Sequence, residues 1–403
     1  MIVLAGGDLV LPDRILSAGS LLVDDGRIVA IDPRPRVEPA GAEIIDVRDC
    51  YIVPGFVDVH VHGVDGDDTL DGGDAIASIA SKLPRYGVTA FCPTTVACAP
   101  EDLRRVLRTV RDARVAPQSG SARVLPAHLE SNFINPDYRG AQPVDCLRLP
   151  RAENSEGNFT GRAVLDVIAS ARADVGIVTL APELPGALAL VTELVAAGHR
   201  VSLGHSGASV DETMEAIEAG ARHATHLFNR MTPLMHRAPG IAGAVLARDE
   251  VAAELICDGY HVHPAMCRVA IAAKSTAGIM AITDGTGGSG LSPGSTARLG
   301  GREITVTEHA AFLPDGTLAG STLTMDRAFR TIVSRFELSI VDAAQLCATT
   351  PARQMGLTGF GVVAEGAVAD LAILDADFNV ARTFIAGRQV YARRPQGSGL
   401  RDQ

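Results

Sequence analysis

A chain of 403 residues that is 47% apolar and 21% charged has material for a large core, which excludes a disordered or fibrous protein. Its formal net charge of −11 argues against nucleic acid or an anionic membrane surface as general partners, while a local site can still accept a small anion. Residues 1–8 lack the basic region and long apolar core of a signal peptide. No run reaches the roughly eighteen uncharged apolar residues of a membrane span. The seven cysteines, without a CxxC pair, read as reduced thiols, so a cytoplasmic location is expected.

In chain order, residues 1–56 read as short strands (1–5, 21–23, 27–31, 43–47) separated by turns, with Asp24-Asp25-Gly26 as a hairpin signal. The same texture returns in 369–375 and 380–390. The expectation is one small β-sandwich domain built from both ends, 1–56 and 358–403, with a frayed polar tail from Arg393. Residues 57–357 between them alternate strand-like and helix-like segments. The strand candidates are 56–62, 88–92, 124–129, 175–180, 200–204, 222–226, 251–256 and 278–283. The helix candidates are 75–86, 101–113, 161–171, 187–197, 211–218 and 264–274. Eight such units predict a (β/α)8 TIM barrel in preference to an open doubly wound sheet. The glycine run 285–290 follows a strand but opens no clear helix, so it is not a dinucleotide fingerprint and is expected to be a mobile flap.

The candidate strands end in residues able to do chemistry. In Val57-Asp58-Val59-His60-Val61-His62-Gly63 the alternation puts His60 and His62 on one face of a strand. Glu130, His205, His226 and Asp284 each stand at the end of a separate strand, where a barrel gathers distant residues around one point. Taken singly, a strand-end Asp is most often a turn cap and a strand-end His is as often structural as ligating. Together, two imidazoles and a carboxylate suit zinc or a similar divalent ion that keeps a position for water. Asp284 would then take the water's proton and return it to a departing amine.

The segments Pro54-Gly55-Phe56-Val57-Asp58-Val59-His60-Val61-His62-Gly63, His128-Leu129-Glu130, Gly204-His205-Ser206, Thr225-His226-Leu227-Phe228-Asn229, Asp258-Gly259-Tyr260-His261 and Thr283-Asp284-Gly285-Thr286 carry a resemblance. The chain resembles the N-acetylglucosamine-6-phosphate deacetylases of the amidohydrolase superfamily over nearly its whole length. The resemblance implies hydrolysis of N-acetylglucosamine 6-phosphate to glucosamine 6-phosphate and acetate. It implies that Glu130, His205 and His226 bind the principal metal, that Asp284 is the acid/base, and that His60 and His62 support a second ion found in only some members. One or two ions are expected, zinc first, with iron, cobalt or manganese compatible. By the same resemblance Asn229 and the adjacent backbone face the phosphate and His261 contacts the sugar phosphate. Arg237 would reach the phosphate bound by a neighbouring subunit, implying a homodimer.

Three departures from the family pattern involve four residues. Ser131-Asn132 stand where the family has Gly-Pro, which predicts a more polar wall beside the metal ligand. Gln142 occupies the place of a histidine that steadies the substrate carbonyl, and Arg230 replaces a small alanine at the phosphate end. These departures leave open a metal-dependent N-acyl hydrolase acting on another amino sugar, cyclitol or acyl amine. A scaffold that has lost turnover is the remaining reading, disfavoured because all four inner residues are present.

Overall fold

The protein is described by a computed structural model that covers residues 1–33, 41–150 and 157–394. The tail expected to fray lies, from residue 395 on, outside these residues.

Eight parallel strands surround the centre: β1 (Phe56–Val61), β2 (Val88–Thr95), β3 (Ala127–Glu130), β4 (Val175–Leu180), β5 (Arg200–Leu203), β6 (His223–Ala224), β7 (Ala252–Ile256) and β8 (Ile279–Ile282). Each pairs with its neighbours in sequence order from β1 to β8. All but one of their residues are buried, as parallel strands covered by helices must be. The ring closes just beyond the ends of β8 and β1: Asp284 N donates to His60 O at 2.9 Å, and His62 N donates to Gly285 O at 2.7 Å. The Thr283 hydroxyl donates to the buried Asp58 carboxylate at 2.5 Å, clasping the same seam. Asp284 is thereby set beside His60 of β1 and His62 just past its end.

Several expectations are corrected. The segment 124–129 is interrupted, because Pro126 has no N–H to donate: Arg123–Val124 pairs with β2, and β3 begins only at Ala127. The segment 222–226 supplies two strand residues, since the chain turns at His226. The glycine run is no projecting flap. Residues 284–289 are all buried, and Gly285 forms bridges to both Val61 and Ser321. A Cβ on Gly288 would stand 2.7 Å from Val306 Cγ2, so glycine here allows tight packing rather than motion.

Both chain ends share one smaller sheet. Its strands Ile2–Val10, Ile15–Asp24, Arg27–Asp32, Glu43–Asp46 and Tyr51–Pro54 join Leu371–Leu374, Val380–Ile385 and Arg388–Ala392. The ends meet antiparallel at Ile52↔Ile373 and Pro54↔Leu371, over a core that includes Leu4, Leu21, Ile52, Leu371 and Phe384. A three-stranded antiparallel insert, Thr296–Leu299, Arg302–Val306 and Ala311–Phe312, follows β8 and had no counterpart in the sequence expectations. The helix Met325–Ser334 was likewise not anticipated. Among the described residues no helix is long and apolar enough to cross a membrane.

Candidate active site

The alternation of β1 places His60 and His62 on one face, and their Nε2 atoms lie 3.2 Å apart. Glu130 closes β3, and its Oε1 lies 2.8 Å from Nε2 of both His205 and His226. The two Nε2 atoms of His205 and His226 are 3.0 Å apart. Asp284 Oδ1 lies 3.3 Å from His60 Nε2 and 3.2 Å from His62 Nε2. All six residues are buried.

Their backbones are strained in a shared way. His205, His226 and Asp284 have φ of +49°, +28° and +47°, in the left-handed region that costs a non-glycine residue about 1–3 kcal/mol. Each of these strands therefore ends in a sharp turn that aims the side chain across the barrel mouth. This clustering of strain is invisible in the sequence, where none of the three positions is glycine.

Hydrogen bonding fixes which histidine nitrogens are free. His205 Nδ1 is 2.8 Å from Tyr138 O, and a carbonyl only accepts, so Nδ1 carries the proton and Nε2 keeps its lone pair when the ring is neutral. His60 Nδ1 is similarly held, 2.9 Å from Glu254 Oε2. Several imidazole lone pairs and a carboxylate thus face one small volume. Glu130, His205 and His226 have donor atoms within 4.8 Å of one another, as do His60, His62 and Glu130. Nε2 lone pairs of neutral rings at 3.0–3.2 Å repel unless a proton or a cation lies between them, so the donor set fits a divalent ion.

Burial alone would push the Glu130 and Asp284 carboxyls up, but the facing histidines more than reverse this, and both are held well below the usual carboxylate range.

The cavity above these groups is lined also by Gln142, Asn229, Arg230 and His261. Asn229 Nδ2 donates back to His226 O at 3.2 Å. His261 donates from Nδ1 to Asp258 Oδ2 at 2.5 Å, and its buried Nε2 makes no close hydrogen bond but lies near the Gly320 backbone. Burial lowers the His261 pKa, but the hydrogen bond and charge of Asp258 outweigh it and the net shift is upward. The exposed Arg230 has no ion pair among the described residues, and its side chain packs over Gly140. Arg237 is exposed and does not line this cavity.

Two of the departures behave differently from expectation. Asn132 does not line the cavity. Its Nδ2 donates to Cys98 O at 2.8 Å and Cys146 O at 2.7 Å, which uses its polarity in the supporting loops. Gln142 donates from Nε2 to Glu130 Oε2 and accepts from Ala97 N at 2.7 Å, so its amide is engaged with a candidate ligand. Arg302 of the three-stranded insert donates to Ala141 O and props the same loop.

Sequence reasoning did not single out Tyr138, His128 or Glu254 as parts of the site. Glu254 left a signal as a lone acid inside the apolar run Val251–Ile256, and His128 left one as part of the segment His128-Leu129-Glu130.

The amidohydrolase family, taken as a whole, matches residues 51–390 of this chain. The N-acetylglucosamine-6-phosphate deacetylase of Bacillus subtilis (strain 168) is 34% identical over 383 residues, covering 94% of each chain. That of Mus musculus is 36% identical over 406 residues, covering 95% of each. Among solved structures, a mutant N-acetyl-D-glucosamine-6-phosphate deacetylase from Mycobacterium smegmatis in complex with N-acetyl-D-glucosamine-6-phosphate has a TM-score of 0.85 at 32% identity, covering 97% of this chain and 99% of that one.

Proposed function

The chain belongs to the amidohydrolase family, and from that premise we propose that it hydrolyses the acetamido group of N-acetylglucosamine 6-phosphate to acetate and glucosamine 6-phosphate. The observation that carries this reading is the convergence of Glu130, His205 and His226 with Asp284 at one cavity whose outer wall holds Arg230 and His261.

The family is metal-dependent, and the residues that would hold the principal ion here are Glu130, His205 and His226, with His60 and His62 able to hold a second beside Glu130. Zinc suits this nitrogen and oxygen set best, ahead of iron, cobalt or manganese. Bound there, a divalent cation lowers the pKa of water toward neutrality and polarises a carbonyl. Asp284 accepts a proton from the attacking water as the new C–O bond forms, then returns it to nitrogen as the C–N bond breaks. The Gln142 amide keeps Glu130 oriented. His261, its Nδ1 held by Asp258, presents Nε2 toward the sugar phosphate, and Arg230 supplies a guanidinium for its phosphate.

We further propose a homodimer in which Arg237 of a second copy completes the phosphate site. Arg237 is exposed, and Leu234 and Met235 near it are 40% and 57% exposed, as an interface segment would be. Seven free cysteines suit a reducing compartment, so the cytoplasm is the proposed location.

The test is acetate release from N-acetylglucosamine 6-phosphate, its 4-epimer and its unphosphorylated analogue, with metal content measured on the same protein. A clear preference in kcat/KM for the phosphorylated gluco sugar is expected. Equal kcat/KM with and without phosphate would reject the assignment in favour of a broader N-acyl hydrolase.

A further inference from the structure

Beneath the site lies a carboxylate that the proposed reaction does not use. Glu254, on β7, is 0% exposed, and no lysine or arginine pairs with it among the described residues. Its Oε2 stands 2.9 Å from His60 Nδ1 and 3.3 Å from the backbone N of His226. Its own backbone carbonyl accepts from Leu227 N at 2.8 Å, so β7 grips the strained turn at His226 from two sides. Oε1 has no hydrogen bond and lies 3.6 Å from His128 Nδ1.

His60, His128 and Glu254 are close enough to suggest a cation site of their own. The hydrogen bonds exclude it. His128 Nδ1 is 3.0 Å from Val59 O, so that nitrogen must carry a proton and has no lone pair to give, while Nε2 is taken by the Thr179 hydroxyl at 2.8 Å. Glu254 is left as an acceptor, with His60 Nδ1–H as its close donor.

We propose that Glu254 is a positioning residue: it fixes the tautomer and rotation of His60 so that Nε2 faces Glu130 and Asp284, and it anchors the turn that aims His226. A histidine that binds a cation through one nitrogen gains basicity when the other N–H is held by a carboxylate. Burying an anion here is tolerable because its charge faces an imidazole on the path to a cation. The inference rests on the reading of His60 as a ligand of a second ion.

The test uses the full-length protein loaded with Co²⁺, following cobalt content and the visible d–d spectrum while a chelator is titrated. Glu254→Gln keeps size but gives a neutral acceptor. It is expected to weaken the His60-dependent ion about 10- to 100-fold and alter its spectrum, while the ion held by His205 stays. A Glu254→Gln protein with parent affinity and spectrum, while His60→Ala loses an ion, would overturn the proposal alone. If His60→Ala keeps the parent's full cobalt content, the ligand reading fails and the proposal falls with it. Should Glu254→Gln not fold, the unmutated protein still decides. With ¹⁵N-labelled histidine in the zinc-loaded form, His60 must show a protonated Nδ1 with a strongly downfield proton, and an unprotonated Nδ1 would refute the proposal.

Discussion

The carbonyl oxygen of Tyr138 accepts the Nδ1 proton of His205 at 2.8 Å, and this one contact turns the His205 Nε2 lone pair toward Glu130 and His226. A loop outside the strands thus sets the protonation pattern of a residue at a strand end. His205→Ala should remove the principal ion, with metal content by elemental analysis falling by about one equivalent per chain. His60→Ala should cost only a second ion. Full occupancy in the His205 variant would reject the ligand assignment.

Gln142 spends both ends of its amide on the protein, on Glu130 and on Ala97 N. Gln142→Ala leaves a buried N–H and one carboxylate oxygen without their partners, a loss of about 1–3 kcal/mol per group. Metal affinity and the thermal midpoint should both fall, more than KM rises. An unchanged chelator titration curve would show that Glu130 needs no such support.

Arg230 lines the cavity with no ion pair among the described residues. A charge-assisted hydrogen bond to phosphate is worth about 1.5–3 kcal/mol, so Arg230→Ala should lower kcat/KM for the phosphorylated sugar roughly 10- to 100-fold. The unphosphorylated analogue should be nearly unaffected. Equal losses on both substrates would show that Arg230 shapes the loop over Gly140 instead.

Acid stability offers a test away from the reacting atoms. Burial holds His128 and His223 neutral, with pKa values lowered to about 4. The unfolded chain binds these protons near pH 6.5, so each histidine removes stability as pH falls from there toward 4, by about 1.4 kcal/mol per pH unit. Asp58, pushed up to about 7 by burial, holds a proton in the folded state across most of that window while the unfolded chain does not, and so acts in the opposite sense. The contrast between proteins is therefore the informative quantity. His223→Gln should lose stability less steeply than the parent between pH 6.5 and 4 in urea titrations, and parallel curves would mean His223 titrates normally.

Much of this arrangement was legible because strand alternation and turn residues are local signals. The run from Val57 to Gly63 predicts the shared face of His60 and His62, and the Asp-Gly break after Thr283 predicts a strand end at the barrel mouth. What escaped depends on long-range packing. The left-handed turns at His205, His226 and Asp284 follow from neighbours closing around them, and the seam through Gly285 pairs residues more than two hundred positions apart. The helix Met325–Ser334 was within reach, since buried Met325, Ala328, Phe329 and Ile332 have helical spacing. Glu254 was not, because a lone acid in an apolar strand does not name its partner.

The most direct test of the account is a paired measurement on Asp284→Asn and the parent, both loaded with metal: turnover of N-acetylglucosamine 6-phosphate and metal content on the same samples. The substitution keeps shape and removes basicity. Full metal content with turnover reduced about 10²- to 10⁴-fold is the predicted result. Near-parent turnover at full metal content would contradict it and move the proton transfers to another residue.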